Sequence, residues 1–504
     1  MKPPAPAPRP EEIELKLALP TSDPQDLASR LARTPLLVRR KATKQALHNI
    51  YYDTPGQDLS RERVALRVRR VGSSSHPQWL QTLKMGGRSD SALSHRGEWE
   101  VPLPDDELSQ AALQATPWPQ FDPDGSVFEA LAPCLVTAFE RTSWSVRKPG
   151  GSVVEVSLDI GQIVSGDKST PICELELELV SGQSAALFQI AHQIASTLAV
   201  MPLNISKSER GYALLEDRLN MPLRARSPAL KPGMSLPVAA QSVLREMFCQ
   251  FTSNLNLLSS SDDPEVLHQA RVGWRRFRSA LRLFKPALAT DPLPSWQPLK
   301  PLLSFIGELR DLDVARLETL PLFEAAYTGE NPVRAEKWQA MLQALSEAAR
   351  LRRKSIGYAL EVPAVGATLL AFTQWLEELP RQDRTGTGTG SEADTLLPLK
   401  PWARRRVKRL HGKMKIALKD TAHPERLHEA RIFAKRLRYV IEAMQPLLPR
   451  QARKSWLPQA IRLQKDIGIT RDVQQASALA ARLEMDHGLA EFLRGVAAGQ
   501  EHPR

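Results

Sequence analysis

The chain has 504 residues and a mass of 56.1 kDa, with 42% hydrophobic and 25% charged residues, a globular composition that excludes wholesale disorder. Its most apolar window, 363–376, falls short of the roughly 20 residues a membrane helix needs and holds Thr368, Thr373 and Gln374. The net charge of +12 is unevenly spread: residues 1–220 carry 24 Lys and Arg against 27 Asp and Glu, a balance of −3, which leaves +15 for the remainder and suggests a polyanionic partner for that half.

Residues 1–10 are Pro-rich and read as a disordered tail, without the apolar core of a secretory signal. Cys134, Cys173 and Cys249 are far apart and lack metal-ligand spacing, so a reduced, cytoplasmic protein is expected. From Glu11 to about Glu216 the pattern alternates with period two. It predicts strands at 11–19, 46–53, 63–71, 78–85, 95–103, 136–148, 153–160 and 172–180, interrupted by helices near 24–33 and 185–199. A first domain is expected over 11–219, a Pro-rich linker over 220–236 and an all-helical domain over 237–498, broken by a low-complexity loop at 381–394. The helical half repeats internally: HQARVGWRRFR at 268–278 matches HEARIFAKRLR at 428–438, and IGELRD at 306–311 matches IGITRD at 467–472, which implies two similar bundles.

In the strand half the polar face carries ionisable groups of both signs on almost every strand. Residues at i, i+2 and i+4 share a face. Glu12, Glu14 and Lys16 therefore point one way, as do Arg67 with Arg69, Arg96 with Glu98 and Glu100, Glu155 with Ser157 and Asp159, and Glu174 with Glu176 and Glu178. Lys84, Arg141 and Lys207 add to the set. Three carboxylates on one face repel unless cations neutralise them. Closing the sheet into a barrel with the charges inside and Leu66, Val68, Leu175, Leu177 and Leu179 outside accounts for the pattern. Such a lumen suits a phosphate chain with a divalent cation, the cation held by carboxylates and the phosphates by Lys and Arg. No Gly-rich phosphate loop is present.

At Glu12-Ile-Glu14-Leu-Lys16 the sequence resembles the E-x-E-x-K signature of the CYTH, or triphosphate tunnel metalloenzyme, superfamily. YYDTP at 51–55, ALRVRR at 65–70, WLQTLK at 79–84, RGEWE at 96–100, FERTSW at 139–144, SLDIG at 157–161, CELELEL at 173–179 and SKSERGY at 206–212 follow in the family's order. The resemblance implies an eight-stranded antiparallel tunnel that hydrolyses triphosphates with Mg²⁺ or Mn²⁺. It implies metal contacts from Glu12, Glu14, Asp159, Glu174, Glu176 and Glu178, and triphosphate contacts from Lys16, Arg67, Arg69, Lys84, Arg141 and Lys207. Glu12, Glu14, Lys16 and Glu176 form the implied catalytic set. A class IV-type adenylate cyclase or thiamine triphosphatase on the same tunnel, and a non-catalytic polyphosphate binder, are the alternatives.

In the helical half His268, Arg271, Arg275, Arg278 and Arg282 form one helix face, with His428, Arg431, Lys435 and Arg438 at the matching positions of the repeat. Ala270, Trp274 and Phe277, and Ala430, Ala434 and Leu437, form the core faces. H-x-A-R-V-x-x-R-R-F-R at 268–278 and L-R-D-L-D-V at 309–314 resemble the CHAD domain. That resemblance implies that the two basic faces bind inorganic polyphosphate, with association with polyphosphate granules. Asp311, Asp313 and Asp472 read as structural partners of arginines. No nucleic-acid recognition motif is present, so nucleic acid is not an expected partner. The fold class expected for the whole chain is α+β, an antiparallel β tunnel followed by an all-α tandem helical bundle.

Overall fold

A computed structural model describes residues 11–20, 23–72, 77–87, 91–285, 288, 292–379, 398–419, 423–482 and 486–501. The expected tail at 1–10 and the expected loop at 381–394 lie outside the described residues. The chain divides into two compact units, residues 1–221 with 361–374, and residues 222–360 with 375–504.

The first unit is built on β1 (Glu11–Ala18), β2 (Thr43–Asp53), β3 (Val64–Val71), β4 (Gln78–Met85), β5 (Leu93–Leu103), β6 (Ala132–Arg147), β7 (Val153–Ser165) and β8 (Lys168–Ser181). They run antiparallel in the order β5-β4-β3-β2-β6-β7-β8-β1, and β1 also pairs with β5, so the sheet closes into an eight-stranded barrel. A two-residue strand, β9 (Met201–Pro202), adds to β1. All eight expected strands are present, several of them longer than the alternation marks.

The alternation sorts side chains between an apolar outside and a charged inside. Leu15, Leu17, Val154, Val156, Leu158, Leu175 and Leu177 face outward at 0–1% exposure. They pack with Leu27 and Leu31 of α1 (Leu27–Ala32) and Leu187, Ile190 and Ile194 of α6 (Ala185–Ala195) in one core. Fully burying each such leucine contributes about 1.5–3 kcal/mol. Leu370, from the 361–374 segment, joins the same core. Gly366 approaches so closely that a Cβ there would meet the Val200 carbonyl oxygen.

A second patch of the outer face packs Leu59 of α2 (Asp58–Arg61), Leu66 and Leu83 with Leu113 of α3 (Gln110–Leu113) and Trp118 of α4 (Trp118–Phe121). Asp53 fixes this corner. Its carboxylate accepts from the backbone N–H groups of Thr54, Leu59 and Ser60 and from the Tyr212 hydroxyl at 2.8 Å, which gives the YYDTP segment a structural reason. A one-turn helix, α5 (Ser126–Glu129), precedes β6, and α7 (Lys207–Leu215) follows β9.

The second unit holds α8 (Leu236–Leu257), α9 (Pro264–Phe284), α10 (Lys300–Val314), α11 (Glu324–Thr328) and α12 (Pro332–Leu360). A bridging helix, α13 (Pro363–Glu378), starts within the first unit's 361–374 segment. Then follow α14 (Leu399–Ala417), α15 (Pro424–Met444), α16 (Leu457–Arg482) and α17 (His487–Glu501). The two repeat helices, α9 and α15, are each 21 residues long and each open on a proline, whose missing N–H costs nothing at a helix start. Each packs on the helix before it, α8 and α14, and the two pack on each other, as α10 does on α16. Ala430, Ala434, Leu437, Ile441 and Met444 are all fully buried, so the core face read from the repeat is the core face of α15. Among the described residues no single helix is long and apolar enough to cross a membrane.

Candidate active site

The strand registers decide which charges meet inside the barrel. Between β1 and β8, Glu14 stands opposite Glu178 and Lys16 opposite Glu176. Between β1 and β5, Glu12 faces Arg96. Lys84 faces Glu98, Arg141 faces Asp159, and Asp159 faces Glu174. The result is a polar cavity of about 410 Å³ whose lining includes Glu12, Lys16, Arg67, Arg69, Lys84, Arg96, Glu98, Glu100, Arg141, Glu176, Glu178 and Lys207. Of the residues expected at the site, Glu14, Asp159 and Glu174 lie behind this lining, at 0–2% exposure and bonded to residues in it.

Two clusters organise the lumen. In the first, Lys207 Nζ lies 2.6 Å from Asp159, 2.5 Å from Glu174 and 2.9 Å from Glu176. Arg141 donates two bonds to Asp159, at 2.8 and 2.7 Å, and another to Glu176. Lys207 is the first residue of α7, where the helix dipole disfavours a cation; the three carboxylates outweigh that preference. Burial opposes the charge of Glu176, but Lys207, Arg141 and Lys16 hold its carboxyl well below the usual range. The same carboxylates push Lys207 up against the effect of its burial.

In the second cluster Lys84 donates to both oxygens of Glu12, at 2.8 and 3.0 Å, and lies 3.0 Å from Glu98. Arg96 donates to Glu12 and to Glu14, each at 2.7 Å, and Lys16 pairs with Glu14. Burial alone would raise Glu12; Lys84 and Arg96 reverse this and lower it. Glu178 has no cation of its own in either cluster. Burial, with the charges of Glu12 and Glu98, pushes it up to about 7.

Arg67 lies 3.7 Å from Glu98 and donates to the Tyr51 hydroxyl at 3.3 Å; Arg69 lies 3.9 Å from Glu100 and donates from Nε to Asn49 Oδ1 at 2.8 Å. Arg67 Nε is buried without a hydrogen-bond partner, and Arg69 is pushed down to about 10 by burial and by the charges of Arg67 and Arg141. Each guanidinium lines the cavity and keeps N–H groups that an anion there can meet. The lining's two aromatic rings are already faced by cations, Tyr51 by Arg67 and Phe139 by Arg141 and Lys207.

Asp159, Glu174 and Glu176 each offer one oxygen within 4.8 Å of the others, a hard, all-oxygen donor set of the kind that suits Mg²⁺ or Mn²⁺. The thiols of Cys134 and Cys173 are pushed up to about 11, chiefly by burial, which leaves them poor ligands and nucleophiles at neutral pH. Sequence reasoning placed Arg96 on the luminal face without a role, and missed Arg210, which donates to Glu174 at 3.0 Å. The spacing sets Arg96 on the luminal face but does not name its partners, which come from β1, and it does not mark Arg210, which lies on α7.

In the second unit the repeat brings part of the two basic faces together. Lys435 of α15 lies in the field of Arg275 and Arg271 of α9, Arg431 of α15 and Arg471 of α16; burial first, then these charges, pushes it down to about 7. Burial also lowers Arg271 and Arg431. His268 is lowered by burial and by Arg310. The outer members of the expected stripes point to other partners. Arg278 lies over the Trp296 ring at 4.7 Å, Arg438 donates to Glu442 at 2.7 Å, and His428 is exposed. Arg471 lies in the IGITRD segment of the repeat but off the two basic stripes, so the stripe spacing does not single it out. Asp313 is fully buried and accepts from Arg316 at 3.3 Å, and Asp472 lies near Arg471 and Arg431.

Comparison with known proteins agrees with the two units. Residues 10–212 match the CYTH domain and residues 242–481 the CHAD domain. An inorganic triphosphatase of Haemophilus influenzae is 32% identical over 204 residues, 40% of this chain and 55% of that protein, so the chain spans about half the length of this curated relative. Among solved structures, the CHAD domain from the plant Ricinus communis is 26% identical, covering 56% of this chain and 91% of that one, with a TM-score of 0.46. A Hippeastrum protein described as revealing a dominant triphosphatase activity is 18% identical, covering 40% of this chain and 95% of that one, with a TM-score of 0.30.

Proposed function

The chain joins a CYTH domain to a CHAD domain, and from that premise we propose a metal-dependent inorganic triphosphatase that releases pyrophosphate and phosphate, with a helical module that binds polyphosphate. The observation that carries this reading is the lumen itself, with paired carboxylates and Lys/Arg on facing strands around one cavity. Arg67, Arg69 and Lys84 hold the phosphate chain from one side, and Lys16, Arg141 and Lys207 from the other. Glu12, Glu14, Asp159, Glu174, Glu176 and Glu178 supply the metal-binding oxygens. Bound there, a divalent cation neutralises phosphate oxygens and polarises water. The cationic side chains fix the phosphorus atom for in-line attack and take up the charge that develops on the leaving phosphate. Tyr51 and Phe139 are both buried and carry cations over their rings, so they offer little stacking surface to an adenine or thiamine ring, which favours the inorganic substrate.

The test is metal removal. Phosphate release from triphosphate by the full chain is expected to stop in EDTA and to return with Mg²⁺ or Mn²⁺. Release that continues undiminished after exhaustive chelation would refute the metal dependence.

For the helical module, Arg271→Ala with Arg431→Ala is expected to weaken long-chain polyphosphate binding by about tenfold per arginine, the cost of a lost charge-assisted hydrogen bond. Binding a polyanion raises the Lys435 ammonium above its free value of about 7, so binding takes up a proton. Affinity is therefore highest below pH 7 and falls as pH rises above it. Lys435→Met is expected to flatten that dependence. Titrations between pH 6 and 9 check both statements; a pH-independent parent would remove Lys435 from the binding surface.

A further inference from the structure

The reading of the lumen as a metal and triphosphate site leaves Arg96 without a role. Its fork spans both acids of the E-x-E pair, with Nε 2.7 Å from Glu12 and Nη2 2.7 Å from Glu14. Glu12 and Glu14 side chains are 6% and 3% exposed, so this is a neutralised, desolvated pair. Lys84 also holds Glu12 and Lys16 also holds Glu14, so a divalent cation reaches the oxygens that face Arg96 only if the guanidinium leaves, and a departing buried guanidinium needs another anion to meet. Arg96 has room to move. It borders both the 410 Å³ cavity and a smaller neighbouring cavity of about 100 Å³ lined by Ser91, Ser94 and Asn204. Gly87, at φ +94°, lies beside it without a side chain; a Cβ there would come within 3.3 Å of the Arg96 Cβ.

We infer that Arg96 is the resident counter-cation that bridges Glu12 and Glu14, beside the lysine that each acid keeps. It yields that place to a divalent cation when a phosphate chain is present to receive it. Metal and phosphate chain therefore bind cooperatively, each raising the affinity of the other by the same factor. Arg96 acts here as a positioning residue that keeps the acids neutral until substrate arrives. The inference rests on the proposed metal site and tests a property beyond it.

Mn²⁺ binding to the full chain, followed by electron paramagnetic resonance, separates the two. In the parent, a non-hydrolysable imido analogue of triphosphate is expected to tighten Mn²⁺ binding about tenfold or more, after correction for Mn²⁺ held by free analogue. In Arg96→Gln, Mn²⁺ is expected to bind about tenfold tighter without the analogue, and the analogue to add little. Arg96→Lys keeps the charge but reaches one carboxylate at a time, and should fall between, which also covers the case that Arg96→Gln fails to fold. If the parent binds Mn²⁺ cooperatively with the analogue and neither variant changes Mn²⁺ affinity in its absence, the role of Arg96 is refuted while the metal site stands. If no protein binds Mn²⁺ under either condition, the metal site falls and this inference with it.

Discussion

Replacing Glu176 by glutamine is expected to lower triphosphate turnover about 10³-fold at saturating metal, the rate equivalent of the several kcal/mol that one metal-binding carboxylate contributes to transition-state stabilisation. Glu176 is the acid that both joins the Asp159–Glu174 oxygen set and lines the cavity. It connects the buried carboxylates to the space where a phosphate chain would sit. Glutamine keeps the shape and one hydrogen-bond acceptor, so Arg141 and Lys207 retain Asp159 as a partner and the barrel should survive. Steady-state kinetics across a metal titration, with circular dichroism as the control for folding, is the measurement. Turnover within a few-fold of the parent would remove Glu176 from the site.

The second large effect is on stability. Lys207 is the one ammonium shared by Asp159, Glu174 and Glu176, and its side chain is 7% exposed. Lys207→Met leaves Asp159 with Arg141, Glu174 with Arg210, and Glu176 with Arg141 and the charge of Lys16, and losing one partner of a buried ionic cluster costs roughly 3–5 kcal/mol. The pH dependence carries the sign. In the parent, Glu176 is held below its unfolded value of 4.5. Its contribution is therefore full above about pH 4.5 and is lost as pH falls through the lower folded value. In the variant, the crowded carboxylates retain protons more readily in the folded state than in the unfolded one, which penalises folding as pH rises. The gap between parent and variant should therefore be narrower near pH 4 than near pH 8, where it is widest. Urea denaturation at the two pH values checks this; a variant within about 1 kcal/mol of the parent at pH 8 would show that the cluster does not depend on Lys207.

The barrel was legible because its charges recur at i, i+2 and i+4 and its leucines occupy the positions between them. Glu174, Glu176 and Glu178 against Leu175 and Leu177 already state which side is the lumen. Register was not legible. That Arg96 meets Glu12, or that Arg141 meets Asp159, depends on how strands pair, and local spacing carries no record of it. The short helices between β5 and β6 escaped as well, since four-residue turns such as Trp118–Phe121 are too brief to show a period. Segment 361–374 read as part of a continuous helical half because its own pattern is helical, yet Leu370 is buried in the barrel's core. In the helical half the repeat exposed Arg271, Arg275, Arg431 and Lys435, which come together. Arg278 and Arg438, at the outer ends of those stripes, have Trp296 and Glu442 as near partners.

The proposed reaction of this lumen is hydrolysis of the inorganic triphosphate anion. The most direct measurement is phosphorus-31 NMR of the full chain with triphosphate and, separately, with ATP, each with Mg²⁺ or Mn²⁺. The expected result is pyrophosphate and orthophosphate appearing from triphosphate in equal amounts, abolished by EDTA and by Glu176→Gln, with ATP consumed far more slowly. Triphosphate left intact under all metal conditions, or ATP converted to a cyclic nucleotide with release of pyrophosphate, would contradict it.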